Sequence, residues 1–303
     1  MKVSIITTCF NREKTIADSV KSVLLQNYSD IEYLIIDGAS SDKSVEIIKE
    51  TIVSCDDASF LVNERFITKD ELKKKDAYWR DGFTILMPKN NIKIRMISEP
   101  DKGMYDAINK GILLATGDIV GLVHSDDSLY DDFVVSDYVK KFESNDYDFV
   151  YADGLFVKAD NEKKIVRYWK SGSFKRWKLF CGWLPLHPTA YIKKNLFNQY
   201  GAYNETYKIA ADSELMLRFF LQNDMNVGYL KGRKTIRMRM GGLSTDPKKR
   251  FQMWMEDVSV YKSYCFLFPH IVKLMKVSRK VPQFIKAYIL EIFGKKIFAG
   301  FSK

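Results

Sequence analysis

Cysteine is scarce and scattered in this 303-residue chain. Cys9, Cys55, Cys181 and Cys265 have no paired spacing, which excludes a thiolate zinc motif and a disulfide framework and points to a reducing cytoplasm. No stretch approaches the about 18 uncharged apolar residues of a membrane-spanning helix. Met1-Lys2-Val3-Ser4-Ile5-Ile6 enters a strand pattern directly, with no signal-peptide apolar region before it. Internal repeats and low-complexity segments are also lacking. Thr7-Thr8-Cys9-Phe10-Asn11, which follows the first strand, has no glycine-rich phosphate loop, and this weighs against a nucleotidyltransferase.

A hydrophobic content of 46% with 28% charged residues fits an ordinary soluble globular protein with a substantial core. The net charge of +10 is concentrated at one end. From Lys248 to Lys303 there are 12 Lys and Arg against 3 Asp and Glu, so this segment alone carries +9.

Four short apolar runs, Val3–Thr8, Ile31–Ile36, Ile92–Ile97 and Ile119–Val123, each end in a polar cluster. Between them, helical spacing appears over Thr15–Gln26 (Ile16, Val20, Val23, Leu24), after Val45, and through Met104, Ile108 and Ile112. Strands alternating with helices predict an α/β fold with a mainly parallel, doubly wound sheet. Right-handed crossovers bring the carboxyl ends of such strands to one rim, where open α/β sheets bind ligands. The fourth run ends in Ser125-Asp126-Asp127. Two adjacent carboxylates suit a hard divalent cation, Mg²⁺ or Mn²⁺, although Asp is also common in helix caps and Asx-turns.

Residues 51–91 interrupt this rhythm. Phe66, Leu72, Tyr78, Trp79 and Phe83 argue against disorder and for a small subdomain, with helix as one option. Beyond the acidic pair, a helix over Phe133–Phe142 is expected, then a hairpin of Asp148–Lys158 and Lys163–Trp169, and an extended Leu184–Pro188. A helix over Ala211–Leu221 and two strands, Met225–Tyr229 and Thr235–Met240, complete this half.

Five pieces in order, Val3–Arg12, Asp37–Asp42, Glu99–Gly111, Ser125–Asp127 and Ala211–Glu214, together resemble family 2 glycosyltransferases of the GT-A fold. The resemblance covers about residues 1–50 and 95–245 and is nearest to bacterial enzymes of O-antigen, capsule or exopolysaccharide synthesis. It implies a GT-A domain over 1–245, with a nucleotide-binding half (1–130), an acceptor-binding half (131–245) and a basic helical region (246–303). It further implies inverting transfer of a sugar from a nucleotide-diphosphate donor, with UDP as the default base and GDP as the alternative. By position, Thr8, Phe10, Asn11 and Arg12 would line the nucleotide pocket and Asp37 would bind base or ribose. Asp101 and Lys102 would close over the nucleoside, with Asp106 and Asn109 beneath it. Many relatives have a second Asp where this chain has Gly38. Asp127 corresponds to the metal-binding Asp of the family's D-x-D motif, whose first Asp is Ser125 here, with Asp126 secondary. Asp212 matches the catalytic base.

The chemistry supports that division independently. An attacking hydroxyl must lose a proton to a carboxylate within hydrogen-bond reach, and a departing diphosphate gains charge that a divalent cation offsets. Asp212 could equally be a helix cap, with Glu214 supporting the helix dipole. Asp37-Gly38 could be only a strand-ending turn. Asp153, Trp183, His187, Glu214, Gly241 and Gly242 are candidate contacts to acceptor or diphosphate. The alternatives are a core position for Trp183, a satisfied structural histidine at His187 and a plain turn at Gly241-Gly242.

In the C-terminal segment, Ile285, Tyr288, Ile289, Ile292 and Phe293 share one helical face, with Lys286, Lys295 and Lys296 largely off it. A basic amphipathic helix predicts peripheral contact with an anionic membrane, here the inner face of the cytoplasmic membrane, where a lipid-linked sugar acceptor would lie. The alternative is packing against the protein's own core. Nucleic-acid binding by this segment would leave the rim carboxylates unexplained. The sequence does not speak to oligomeric state.

Overall fold

The computed structural model describes residues 1–55, 60–62, 65–67, 84–87, 91–241 and 247–279. Its centre is four parallel strands: β1 (Val3–Cys9), β2 (Ile31–Asp37), β6 (Ile92–Ser98) and β7 (Ile119–Leu122). They lie in the order β6-β2-β1-β7, all parallel as expected. Their side chains alternate between two cores. Val3, Ile5, Ile31, Tyr33 and Ile35 pack on one face, under helices α1 (Ile16–Leu24), α2 (Ser44–Ser54) and α4 (Val134–Glu143). Ile6, Leu34 and Ile36 point the other way, under α3 (Met104–Leu114), α5 (Lys194–Tyr200) and α6 (Ala211–Phe220). Burial on both faces explains why β1, β2 and β7 read as mainly apolar runs, whereas β6 alternates, with Lys93 exposed and Arg95 half-buried.

Residues 51–54 of the 51–91 insertion finish α2, and beyond them its described elements are strands. The short strands β3 (Phe60–Val62), β4 (Arg65–Ile67) and β5 (Thr84–Met87) extend the sheet beyond β6 by antiparallel pairing. Leu72, Tyr78, Trp79 and Phe83 lie outside the described residues. On the opposite side β11 (Tyr191–Lys193) runs antiparallel to β7 and hands the sheet on to β9 (Phe149–Lys158). The expected hairpin is present, β9 turning at Ala159-Asp160 into β10 (Asn161–Trp169).

One expectation is corrected here. Met225–Tyr229 and Thr235–Met240 are not two strands but one, β12 (Val227–Arg239), parallel to β9 and antiparallel to β8 (Asp127–Leu129). Its register shifts between Leu230 and Ile236, around Gly232 at φ 78°. A left-handed glycine lets the strand bulge and continue instead of turning away. The polar Lys231-Gly232-Arg233-Lys234 run imitates a loop in the sequence, whereas Arg233 is held by Asp131 and Asp137.

Two helices follow, α7 (Arg250–Ser263) and α8 (Pro269–Ser278). Val260, Tyr261, Phe266 and Val272 are buried in the same core as Leu215 and Phe219 of α6. The apolar face expected at Ile285–Phe293 lies outside the described residues. Among the described residues, no helix is long and apolar enough to cross a membrane.

Candidate active site

The loops leaving β1, β2, β6 and β7 meet on one rim and hold one another. Asn11, at φ 52°, accepts the Ser41 backbone N–H on its Oδ1 (2.9 Å) and donates its own N–H to Ser40 Oγ (2.9 Å). The Arg12 N–H reaches Ser44 Oγ at 2.7 Å. Thr8 is buried at the end of β1, while Phe10 projects into solvent. Asp37 is fully buried, and its carboxylate accepts from Ser40 (N–H and hydroxyl) and from the Ser98 hydroxyl. It organises the 37–42 loop from beneath.

Asp101 sits directly above Gly38: a Cβ at position 38 would lie 2.3 Å from Asp101 Oδ2. The other oxygen, Oδ1, accepts the Gly103 N–H at 2.8 Å. Gly103 itself has φ 126°, which favours glycine. Asp106 caps this turn, accepting the Lys102 N–H at 2.8 Å, and pairs with Lys110. Asn109 faces the other half of the molecule. Its amide donates to the Tyr203 carbonyl and Glu205 and accepts the Tyr203 N–H, a clamp across 94 residues of sequence.

The acidic turn is braced from α1, where the Thr15 hydroxyl donates to the Ser125 carbonyl (2.8 Å) and the Ser19 hydroxyl to the Asp127 carbonyl (2.5 Å). Asp127 is 3% exposed, and burial, reinforced by neighbouring Asp126, pushes its carboxyl well above the usual carboxylate range. Arg239 opposes that shift. Its guanidinium pairs with Asp18 and Glu162 and donates to the Asp126 carbonyl. A desolvated carboxylate beside a second one gains from an added cation. Among the described residues, no three or more His, Cys, Asp or Glu converge to hold a metal unaided. A cation at Asp126-Asp127 would therefore complete its shell with phosphate oxygens and water, the manner in which Mg²⁺ is usually held.

Asp212 lies in the first turn of α6, half-buried, its carboxyl raised above the usual range by burial. His124 lies in the field of both Asp126 and Asp212. The His124 and His187 rings are 6.2 Å apart, and His187 Nε2 is 2.6 Å from the Tyr203 hydroxyl. Tyr203 stacks on Tyr105 at 5.6 Å, and the Tyr105 hydroxyl donates to the Ile209 carbonyl at the approach to α6. Burial keeps both imidazoles neutral, with His187 lowered to about 3.

A profile described as "Glycosyl transferase family 2" matches residues 4–65 and 83–207, more than half the chain. The chain belongs to this family. It is 24% identical over 244 residues to a "PGL/p-HBAD biosynthesis glycosyltransferase" of Mycobacterium bovis BCG, covering 80% of this chain and 78% of the relative. It is 28% identical over 220 residues to an uncharacterised glycosyltransferase of Mycobacterium tuberculosis, covering 71% and 68%. Among solved structures, S. aureus TarS 1–349 in complex with UDP-GlcNAc superposes with a TM-score of 0.58 at 16% identity, over 95% of this chain and 79% of that one. The chain spans 39% of the longer TarS structure. Mannosyltransferase PcManGT of Pyrobaculum calidifontis, in complex with GDP-Man and Mn²⁺, gives 0.55 at 11% identity, over 98% and 80%. These structures share the GT-A fold with this chain.

The remaining candidates of this glycosyltransferase divide between site and scaffold. Asp153 accepts from the Ser171 N–H and the Tyr229 hydroxyl. Trp183 packs among Tyr151, Phe174 and Phe220 in the core, and its indole N–H donates to the Ser171 carbonyl. The Glu214 carboxylate is engaged by Arg218 and by the Tyr264 hydroxyl at 2.6 Å. Gly241 ends β12 at φ 110°, and Gly242 lies outside the described residues. Tyr105, Tyr203 and Arg239 were missed in the sequence. A tyrosine in a helix and an arginine in a basic strand carry no local mark of a site.

Proposed function

We propose that this glycosyltransferase transfers a hexose-type sugar, with inversion, from a nucleotide-diphosphate donor to a glycan or polyprenyl-diphosphate-linked acceptor in bacterial surface polysaccharide synthesis. UDP is the favoured base. The observation that supports this reading is that His124, just beyond β7 at the carboxyl rim of the parallel strands, feels the charges of both Asp126 and Asp212. The rim loops 10–12, 37–42 and 99–103 would receive the nucleoside, with Asp101 and Lys102 closing over it. Asp127, with Asp126, would hold Mg²⁺ or Mn²⁺, which when bound offsets charge on the departing diphosphate. Asp212 would accept the proton of the attacking acceptor hydroxyl. Its raised pKa suits a base that must be ionised near neutral pH yet hold a proton once it takes one. Tyr203, hydrogen-bonded to neutral His187, would stand near it.

The same proposal places the enzyme in the cytoplasm, peripheral on the membrane through its basic C-terminal region, with residues 1–245 as the catalytic domain. Exposed Leu267, Phe268, Ile271 and Leu274 support that contact. Lys175, Lys178 and Arg279 lie close enough together that Lys178 is lowered by the other two as well as by burial. Such a cluster beside an apolar row suits anionic lipid.

Calorimetric titration with UDP and then GDP, each with and without Mn²⁺, tests the donor and metal assignments. One nucleotide should bind with metal, Asp127→Ala should abolish that dependence, and Asp212→Asn should bind normally while transfer falls on the order of 10³-fold. Failure of both nucleotides to bind under every condition would refute the reading.

A further inference from the structure

The C-terminal helices reach the candidate base through buried charges that the sequence did not disclose. Asp257 of α7, 2% exposed, pairs with Lys273 and Lys276 of α8. Lys276 is 2.8 Å from Asp257 Oδ1, and it also donates to Ser213 Oγ at 2.9 Å. Ser213 follows Asp212 and donates its backbone N–H to that carboxylate (2.7 Å), and its hydroxyl favours the ionised carboxylate. An ammonium has only donors, so Ser213 Oγ must accept from Lys276 and its single proton is left for Asp212. One residue group away, Glu256 of α7 accepts the N–H groups of Ile209 (2.7 Å) and Ala210 (3.0 Å), fixing the entry to α6.

From this chain of contacts we infer that Lys276, anchored by Asp257, is a positioning residue for Asp212 and acts through the Ser213 hydroxyl. The inference rests on Asp212 as the base. Buried ion pairs are weak evidence for stability as such, because their desolvation offsets most of their attraction. A cluster with two lysines on one aspartate, one of them handed on to the residue beside the base, is better explained by what it orients. Lys276 carries the largest favourable charge on ionised Asp212, against burial and Asp257. The other groups around the carboxylate are Lys273 from α8, Tyr261 and Glu256 from α7, Tyr105 from α3, Tyr203 from its loop and His124 from the end of β7. Tyr105 and Tyr203 are protonated throughout the working range, and His124 is neutral there, so Lys276 is the cation whose removal the base should register.

The test is the pH profile of kcat with saturating donor, in wild type, Ser213→Ala, Lys276→Met, Lys276→Arg and the double variant Ser213→Ala/Lys276→Met. Ser213→Ala removes one hydroxyl without leaving a buried ion unpaired, and so remains informative if Lys276→Met does not fold. Removing the cation or the relay raises the pKa of Asp212, so the acid limb should move to higher pH in both single variants. At pH 7, kcat should fall on the order of 10²-fold for Lys276→Met, the scale expected when a reacting group is misplaced. KM for the donor should be unchanged. The double variant should resemble Lys276→Met alone, because both changes break one chain, and Lys276→Arg should recover part of kcat. Lys273→Met, which removes a buried cation that does not touch Ser213, should lower thermal stability and move the acid limb less than Lys276→Met does. An unshifted limb in Ser213→Ala, or equal shifts in Lys273→Met and Lys276→Met, would overturn the inference. Asp212→Asn separates the two levels: if it keeps full activity, the base assignment itself fails, whereas an inactive Asp212→Asn with an unshifted Ser213→Ala refutes only the role of Lys276.

Discussion

Histidine 187 offers a prediction whose size follows from the structure. Its imidazole is 8% exposed, bonded to the Tyr203 hydroxyl, and lowered from 6.5 to about 3 by burial and by His124. The folded-state value lies below the unfolded one, so the unfolded chain takes up the proton first as the solution is acidified. Stability tied to His187 is therefore complete above pH 6.5 and erodes as pH falls towards 3. At pH 5 the expected loss from this residue is about 2 kcal/mol, with a ceiling of about 5 kcal/mol once both states are protonated. The perturbation is His187→Gln, which keeps a polar partner for Tyr203 but cannot titrate. Urea unfolding of wild type and variant, followed by tryptophan fluorescence at pH 7.5 and 5.0, gives four stabilities. The variant should be less stable than wild type at pH 7.5, yet lose about 2 kcal/mol less between the two conditions. His124 also titrates below its ordinary value and faces the His187 ring at 6.2 Å, so the difference reports His187 together with its interaction with His124. Equal acid losses in the two proteins would refute the argument that His187 is buried in its neutral form.

Gly38→Ala should weaken nucleotide binding about tenfold, because its Cβ forces the Asp101 carboxylate off the Gly103 N–H. In an Asp101→Ala background the same change should add nothing, and additive effects in titration would show that the two residues act separately. Arg218→Met should cost about 3–5 kcal/mol in thermal or urea unfolding, since it strands buried Glu214 and leaves the carbonyls of Gly201 and Ala202 without their donor. A loss below about 1 kcal/mol would mean that this ion pair breaks even with its desolvation. Replacing Leu267, Phe268 and Ile271 together by Ser should release the protein from vesicles rich in anionic lipid in a flotation assay. Undiminished binding would exclude this row as the membrane contact.

The parallel half was legible because both faces of β1, β2 and β7 are buried. Val3–Thr8 and Ile31–Ile36 are then mainly apolar, with only Ser4, Thr7, Thr8 and Glu32 as polar members, and their polar exits mark the rim. The same logic explains the failure at β12. Its outer residues are lysines and arginines that stack on Tyr130 and Tyr168 or pair with Asp131 and Asp137, so a long edge-proximal strand looked like two strands and a loop. The strands β3, β4 and β5 went unread for a different reason: short strands that only extend a sheet edge have too few residues to set a period. In the site, a carboxylate at a strand end or helix start has a local pattern that a reader can find. Asn109, by contrast, is a candidate by position whose amide faces Tyr203, a partner that no window along the chain could reveal. Lys276 and Asp257 are of the same kind, separated from Asp212 by 64 and 45 positions and meaningful only once α7 and α8 dock.

Those long-range contacts also decide how the two carboxylate groups stay in register. The loop 99–103 runs directly into α3, and α3 carries both Tyr105 and Asn109. Tyr105 holds the Ile209 carbonyl and Asn109 holds both backbone groups of Tyr203, so one rigid helix joins the loop above Gly38 to the segment that precedes Asp212. A displacement of Asp101 and Lys102 is then transmitted through α3 instead of being absorbed in a flexible connection. On the far side α7 and α8 fix the same helix start through Glu256 and Lys276. Asp212 is thus held from two directions by elements that take no part in the sheet. A carboxylate in the first turn of a helix gains from the helix dipole, which favours its ionised form, while burial works against it. Small changes in either brace shift that balance, and for this reason the Asp212 carboxylate should respond to substitutions in α8 as sensitively as to those in its own helix.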